Sequence, residues 1–262
     1  MFLRGAGVPT LGNDRVVLLD PSGAKHLVKL DQETVTIPSV GVARADTLRG
    51  RIGRRWTVGD RPFLVLLPSI RDEIELLRRQ AQIIGPKDAP AILWNCDVKP
   101  GASVVEVGAG SGALTLALAQ TVGANGRVVT YDLRSDFLDG ARQNVTAAGR
   151  RAVVEFKVGD ARLSIDERDV DAVVVDIPDP WEAVPSLAKA LKPCGHFGSY
   201  SPNMEQVSRT VKALRTGTFV EVRTVEIIER EIVAQETGTH PSFAPLGHTG
   251  YLTFARKVLD TF

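Results

Sequence analysis

The chain has 262 residues, of which 44% are hydrophobic and 24% charged, close to the averages for a globular protein. Its 32 basic and 31 acidic residues give a formal net charge of +1, which excludes a surface that is basic all over but not a local basic patch. Two distant cysteines exclude a disulfide framework, and neither a long apolar run nor a signal-peptide pattern is present. We therefore expect a soluble cytoplasmic protein without a membrane span, and the spacing of its four histidines predicts no metal site.

Residues 1–68 are predicted to form a small β-barrel-like N-terminal domain, because short apolar runs alternate there with turn residues. The clearest signal is a hairpin at 15–19 and 26–30, and further strands are predicted at 34–38, 51–58 and 63–67. This domain also holds the densest basic cluster of the chain, Arg49, Arg51, Arg54 and Arg55. A solvated strand face and a phosphate-contacting patch are both compatible with that cluster.

Residues 69–262 are predicted to form a second, larger domain in which strands and helices alternate. Ser69 is expected to cap a helix that runs through Gln82. The next strands are predicted at 103–107, 126–131, 153–158 and 172–175, and the next helices at 112–122, 135–148, 181–191 and 203–215. This alternation predicts an α/β fold with a mostly parallel sheet covered by helices on both faces. Two final strand candidates, 219–233 and 251–258, have no helix between them and are expected to pair antiparallel.

A glycine-rich turn follows the strand at 103–107. It reads Gly108-Ala109-Gly110-Ser111-Gly112 and leads directly into an apolar helix that starts near Ala113. Glycines allow a sharp turn and let a ligand approach the backbone beside a helix N-terminus. Because dinucleotide-binding enzymes and methyltransferases both use such a turn, the glycines alone do not choose between them.

Carboxylates follow or end three neighbouring strands. Asp132 lies 20 residues beyond Gly112, where it can accept the hydroxyls of a ribose. Asp160 is placed to accept an adenine amino group, and Glu106 to hold an ammonium group. A ligand with a ribose, an adenine, an ammonium and a sulfonium fits this acidic cleft better than a pyrophosphate does, which favours S-adenosylmethionine. Two structural roles stay open, a helix cap for Glu106 and an Asx turn for Asp160.

The segment Asp176-Ile177-Pro178-Asp179-Pro180-Trp181 follows the fourth strand of the predicted sheet. Its two prolines fix the backbone as a stiff extended loop at the carboxyl edge of the sheet. A carboxylate at its start and an indole at its end suit a planar base that carries an amino group. The alternative is a proline-rich loop whose tryptophan only covers the core.

The combined pattern resembles the tRNA (adenine-58-N1) methyltransferase family, and most closely its archaeal branch, whose members also methylate adenine 57. The resemblance covers most of the chain beyond residue 60. It is carried by Asp-x-Pro-x-Pro-Trp at 176–181, Gln-Ile-Ile-Gly-Pro-Lys-Asp at 82–88, Leu-Lys-Pro at 191–193, Tyr-Ser-Pro-Asn at 200–203, His-Pro at 240–241 and Gly-His-Thr-Gly-Tyr-Leu at 247–252. It implies a class I, Rossmann-like methyltransferase with a seven-stranded, mostly parallel sheet, an antiparallel closing strand and a small N-terminal β domain. It also implies a homotetramer that uses S-adenosylmethionine and binds tRNA.

The site residues expected on this basis fall into three groups. Asp176 is the predicted catalytic residue, which accepts a hydrogen bond from the amine of the target adenine. The predicted cofactor-binding residues are Gln82, Glu106, Gly108, Gly110, Ser111, Gly112, Ala113, Asp132, Leu133, Asp160, Ala161 and Asp176. The predicted substrate residues are Gly85, Pro178, Trp181 and His248. The family usually has a tyrosine at the position of Gly85. This difference affects the predicted identity of the substrate more than that of the cofactor.

Other functions remain compatible with parts of the pattern. A protein carboxyl methyltransferase or a small-molecule methyltransferase shares the glycine turn and the acidic strand ends. A catalytically idle RNA-binding subunit would be expected to lose the glycines or the carboxylate at position 176, and both are intact. Of the functions considered, nicotinamide-dependent oxidoreduction fits these features least well.

Overall fold

The structure is a computed structural model that describes residues 15–236, 238–244 and 247–260. The first fourteen residues of the predicted N-terminal domain lie outside the described residues. The described residues divide into two compact units, one within Met1–Leu76 and Ala147–Gly149, the other within Leu77–Thr146 and Arg150–Phe262. The first unit extends past the boundary predicted at residue 68, and the division into two separately folding domains stays a prediction. Within the described residues, no helix combines the length and the apolar character needed to span a bilayer.

Among the residues described, the secondary structure comprises strands, α-helices and one 3₁₀ turn at Arg151–Val153. The strands are β1 Arg15–Leu19, β2 Lys25–Lys29, β3 Thr34–Ile37, β4 Gly41–Arg44, β5 Arg55–Val58, β6 Arg61–Leu66, β7 Ser103–Val107, β8 Arg127–Asp132, β9 Val154–Val158, β10 Val170–Val175, β11 Leu191–Ser201, β12 Phe219–Glu226, β13 Ile232–Gln235, β14 Gly238–Pro241 and β15 Tyr251–Lys257. The helices are α1 Ala45–Arg49, α2 Ile70–Glu75, α3 Ala89–Asn95, α4 Ala113–Val122, α5 Ser135–Ala147, α6 Pro180–Ala190 and α7 Met204–Arg215.

The first unit is built from short antiparallel strands. The predicted hairpin is confirmed as β1 and β2, and its turn is held by Asp20, whose Oδ1 accepts the amides of Ser22 at 2.8 Å and Ala24 at 2.9 Å. One sheet has the order β2-β1-β6-β5, and β3 pairs with β4 in a second sheet. In the part of the chain that the structure describes, these strands form two open sheets rather than the predicted barrel-like closure. Buried side chains such as Leu18 and Phe63 form their shared core.

The second unit contains a seven-stranded sheet of order β12-β15-β11-β10-β7-β8-β9. The pairs β11–β10, β10–β7, β7–β8 and β8–β9 are parallel, whereas β15 runs antiparallel to both of its neighbours. The central strands β7 and β10 are runs of buried valines, as expected for strands covered on both faces. The predicted α/β class, the parallel sheet and the antiparallel closing strand are therefore confirmed.

The helix predicted from Ser69 through Gln82 is wrong in its length. Ser69 does cap the helix, because its hydroxyl accepts the Asp72 amide and the Asp72 carboxylate accepts the Ser69 amide. The helix α2 nevertheless ends at Glu75. The following backbone is held by a side chain instead, since Ser111 Oγ accepts the amides of Gln80 and Ala81 and so competes with helical hydrogen bonds.

The end of the chain also differs from the prediction. The strand expected at 219–233 stops at Glu226, and residues 232–235 pair with β14 in a separate two-stranded sheet. The departure from the large sheet coincides with a side-chain contact, because Lys87 Nζ donates to the carbonyl of Ile227 at 2.5 Å. The pairing of β12 with β15 is confirmed, whereas α3 and most of β11 have no counterpart among the predicted elements.

Candidate active site

The carboxyl ends of four neighbouring strands meet at one edge of the large sheet. Val175 pairs with Val107, Val107 pairs with Tyr131, and Asp132 pairs with Val158. Because these strands are parallel, the residues that end or follow them emerge at the same edge. This edge brings together Glu106, Gly108, Asp132, Asp160 and Asp176.

The glycine turn brings two loops into close contact. The amides of Gly108 and Ala109 both donate to the Tyr131 carbonyl, at 2.8 and 3.2 Å. Gly108 has a φ of +97°, and a Cβ placed there would lie 2.0 Å from the carbonyl oxygen of Asp176. Only glycine fits that position, so the turn and the segment after β10 can approach each other. Gly112, with a φ of +82°, ends the turn and precedes α4.

Ser111 is used inside the protein. Its buried hydroxyl accepts the amides of Gln80 at 2.8 Å and Ala81 at 3.2 Å. Its carbonyl accepts the Asn144 side chain at 2.9 Å. These contacts hold the irregular segment 78–84 against the glycine turn, and that segment supplies Gln82 to the cavity described next.

A cavity of about 460 Å³ lies at this edge. Its lining includes nine of the predicted site residues, namely Gln82, Gly108, Gly110, Asp132, Leu133, Asp160, Ala161, Asp176 and Pro178. A recess of about 20 Å³ shares four of these residues and adds Glu106, Ser111 and Ala113. Gly112 lies in the turn beside them without lining either space. The predicted cofactor residues are thus brought together around one cleft.

Two of the carboxylates are held by hydrogen bonds. Asp132 is buried, and its carboxylate accepts the amides of Gly110 at 3.3 Å and Arg134 at 3.0 Å. Asp160 accepts the backbone amide of Arg162 at 3.0 Å, which is the Asx turn left open above, and its side chain still lines the cavity. The Arg162 guanidinium holds the pKa of Asp160 below its usual value.

The other two carboxyl groups have raised pKa values. Glu106 is buried and accepts the Thr115 hydroxyl at 2.5 Å, and burial raises its pKa to about 8. Burial, together with the negative charge of Asp132, raises the pKa of Asp176 to about 7. Within the described residues, no side chain or amide donates a hydrogen bond to the Asp176 carboxylate.

These features fit a cationic ligand. An opposite charge beside a carboxyl group favours its ionised form, so a cation would offset the cost of burying Glu106 and Asp176 in their charged forms. S-adenosylmethionine carries an ammonium and a sulfonium group, whereas the pyrophosphate of a dinucleotide would face the same carboxylates with the same sign of charge. Asp132 and Gly108 both line the cavity, and the role of Asp132 toward a ribose stays a prediction.

Three predicted substrate residues do not line the cavity. Trp181 lies in the first turn of α6 beneath the Arg209 guanidinium, which is 4.9 Å from its ring centre. Gly85 precedes α3, and a Cβ placed there would have no atom within 4 Å, so this position borders open space. Their roles toward a substrate stay predictions.

His248, the third of these residues, is held by two acceptors. Its Nδ1 lies 2.7 Å from a carboxylate oxygen of Glu226 and its Nε2 lies 3.0 Å from the Pro202 carbonyl. Both contacts stabilise the protonated ring, and they raise its pKa. The ring also packs on Tyr251 at 4.7 Å between centres. The role of His248 toward a substrate stays a prediction too.

The Gly-His-Thr-Gly loop is anchored by a buried polar network that the sequence did not reveal. Thr249 Oγ1 donates to Asp88 at 2.6 Å, and Lys87 donates to the other oxygen of Asp88 at 2.7 Å. The Tyr200 hydroxyl donates to the Thr249 carbonyl. Burial and the negative charges of Asp88 and Asp176 raise the pKa of Tyr200 to about 12, so the phenol stays protonated.

Several cavity residues were also absent from the predicted set. They are Ala81, Val107, Tyr131, Arg134, Gly159, Arg162 and Ile177. Most of them are sequence neighbours of predicted residues, so extending each motif by one or two positions would have found them. Arg162 carried a specific signal, since it stands two residues beyond Asp160, the spacing of a local turn contact. In the part of the chain that the structure describes, no group of three or more metal-ligating side chains is found.

The fold and the cleft define a class I S-adenosylmethionine-dependent methyltransferase. The family described as "tRNA methyltransferase complex GCD14 subunit" matches residues 73–241, which is more than half of the chain. The chain belongs to this family.

Individual relatives agree with that membership. The chain is 35% identical over 266 residues to the tRNA (adenine(57)-N(1)/adenine(58)-N(1))-methyltransferase TrmI of Methanocaldococcus jannaschii, covering 92% of this chain and 94% of the relative. A solved SAM-dependent O-methyltransferase from Thermotoga maritima superposes with a TM-score of 0.88 at 32% identity, over 95% of both chains. The tRNA (m1A58) methyltransferase TrmI from Aquifex aeolicus superposes with a TM-score of 0.78 at 26% identity, over 95% of this chain and 98% of that one.

Proposed function

We propose that this protein methylates N1 of adenine 58 in the T loop of tRNA, with adenine 57 as a second acceptor. The observation that carries the proposal is the Asp176 carboxylate, which faces the cofactor cleft without a hydrogen-bond donor among the described residues. The names of the Methanocaldococcus and Aquifex relatives supply the acceptor.

The proposed reaction does not need a general base to activate the attacking nitrogen. Adenine N1 carries a lone pair that is unprotonated near neutral pH, and S-adenosylmethionine supplies an electrophilic methyl group. The cleft therefore acts mainly by holding the two reactants in line. The target base has to leave the T loop to reach it, so we propose that the base is flipped outward, with Pro178 contacting it at the cavity wall.

Asp176 is proposed to act on the charge that develops in the adenine. Methylation at N1 makes the ring cationic and its exocyclic amine more acidic. A carboxylate that accepts a hydrogen bond from this amine stabilises the developing charge, and it can also take the proton. The positive charge of the bound cofactor favours the ionised form of Asp176, which is the form that performs both tasks.

The remaining cleft residues are proposed to bind the cofactor. Asp132 would accept the ribose hydroxyls, Asp160 the adenine amine, and Glu106 the ammonium group. Gln82 and the glycine turn would enclose the ligand, because they line the cavity and the recess from one side.

Assembly and location are part of the same proposal. We propose a homotetramer acting on tRNA in the cytoplasm, as the family resemblance implies. Light scattering coupled to gel filtration would measure the mass directly. A monomer that methylates tRNA at full rate would overturn the tetramer and leave the reaction standing.

A methyl-transfer assay tests the reaction. Purified protein would be incubated with labelled S-adenosylmethionine and unmodified tRNA transcript, and the product digested to nucleosides. We expect 1-methyladenosine, and a loss of about 30- to 1000-fold in rate for Asp176→Ala, as for other preorganised charge-stabilising groups. Asp136→Asn is the matched control, because Asp136 is an exposed carboxylate in α5 that does not line the cavity.

A different acceptor has one observation in its favour. The Thermotoga structure that superposes at a TM-score of 0.88 is described as an O-methyltransferase, which favours an oxygen acceptor such as a protein carboxylate or a small molecule. Intact cofactor binding with no label in tRNA, and label in an alkali-labile ester, would support that second candidate.

A further inference from the structure

The Arg162 side chain lies between acidic groups at the cavity. Its Nε donates to Asp160 Oδ1 at 2.9 Å and its Nη2 to Asp160 Oδ2 at 2.8 Å, in a two-pronged pair. On the opposite side, Nη1 lies 3.7 Å from the Asp179 carboxylate and 3.6 Å from that of Glu182. The guanidinium is therefore held from both sides, and the plane of the Asp160 carboxylate is fixed with it.

This arrangement leaves a defined place for a ligand. A carboxylate offers about four acceptor directions, two on each oxygen. Arg162 fills both directions on Oδ1, with its backbone amide at 3.0 Å and its Nε, and one direction on Oδ2. One acceptor direction on Oδ2 remains for a group in the cavity, which Asp160 lines.

We propose that Arg162 is a positioning and specificity-determining residue that fixes the orientation of the Asp160 carboxylate and leaves it one acceptor direction for a single N–H group. The cleft would then select a purine nucleoside with an amine at carbon six and reject one with a keto oxygen there. The selection arises because an ionised carboxylate can only accept hydrogen bonds and repels a second acceptor, and because Arg162 prevents this carboxylate from turning away from the base. The inference rests on the cofactor class and needs no tRNA.

Equilibrium binding tests it with two ligands that differ at one group. Calorimetry would compare S-adenosylhomocysteine with S-inosylhomocysteine, in which oxygen replaces the amine. We expect the wild-type protein to prefer the amine by at least about tenfold, the size of a hydrogen bond to a charged group. In Arg162→Gln the preference should fall below about threefold. Arg142→Gln, which removes an exposed arginine paired with Asp139 in α5, should keep it.

Two further variants separate selection from folding. Arg162→Lys keeps the charge but cannot form the two-pronged pair, so it should also lose the preference. Asp160→Asn should bind both ligands alike, because an amide can donate to the keto oxygen as well as accept from the amine. An unchanged ratio in Arg162→Gln, or in Arg162→Lys if the glutamine variant does not fold, overturns the proposal. So does equal weakening of both ligands. Because no RNA is present, failure of the tRNA assay would not affect this result.

Discussion

Asp176 is a buried functional carboxyl group, and its ionisation destabilises the folded protein. In the folded protein its pKa is about 7, above the ordinary value of 3.8, so the folded state binds more protons than the unfolded state between these two values. Stability from this group is therefore present at low pH and is lost as the pH rises toward 7. We expect Asp176→Asn to raise the melting temperature at pH 8 and to change it little at pH 4.5, as measured by calorimetry without cofactor. A gain of equal size at both pH values would contradict the assignment, and Asp136→Asn should show none.

The same carboxylate predicts how the reaction rate depends on pH. The ionised form accepts the hydrogen bond, so kcat/KM for S-adenosylmethionine, which reports the enzyme before it binds the cofactor, should rise about tenfold per pH unit below pH 7 and level off above it. The alanine variant should lack this inflection. A wild-type profile that is flat between pH 5.5 and 8.5 would contradict this prediction, because the rate would then not depend on the ionisation of Asp176 in that range.

Gly85 and Gly108 predict opposite outcomes for similar substitutions. A side chain at Gly85 would meet no atom within 4 Å, so Gly85→Tyr should melt within a few degrees of the wild type. Because aromatic side chains stack on bases, the tyrosine that the family usually has there should lower the KM for tRNA severalfold.

Gly108→Ala should destabilise the protein by several kcal/mol, since its Cβ would overlap the Asp176 carbonyl. Thermal melts and initial rates of both variants check this pair, and a melting temperature for Gly85→Tyr far below the wild type would contradict the first half.

At the scale of elements, the sequence predicted those whose signals are local. The strands β7, β8, β9 and β10 and the helices α4 to α7 were all placed within two residues of their ends, because valine runs, glycines and caps specify them. Strand β11 has no such signal. It carries a proline, two glycines and Cys194 in a left-handed conformation, and its pairing with β10 and β15 comes from partners distant in sequence.

The segment 78–84 shows the same limit within the site. Its apolar spacing indicated a helix, whereas the Ser111 hydroxyl, 30 residues beyond Ala81, accepts two of its amides. We expect Ser111→Ala to leave these amides without an acceptor, at a cost of about 1–3 kcal/mol, and to weaken S-adenosylhomocysteine binding through Gln82. Hydrogen exchange should accelerate at Gln80 and Ala81. Ser208→Ala, an exposed serine on α7, is the control, and unchanged exchange in Ser111→Ala would contradict the argument.

For the whole molecule, a net charge of +1 means that affinity for a polyanion has to come from local clusters. Arg51, Arg54 and Arg55 are exposed in the first unit. If they contact phosphates, the plot of log Kd for tRNA against log salt concentration should have a slope of several units. Arg54→Glu with Arg55→Glu should then lower this slope by about two. The control is Lys189→Glu with Lys212→Glu, which changes the net charge by the same amount at positions in α6 and α7. This control should lower the slope less than the arginine double variant does. Equal slopes for the two double variants would show that total charge, rather than this cluster, determines the affinity for tRNA.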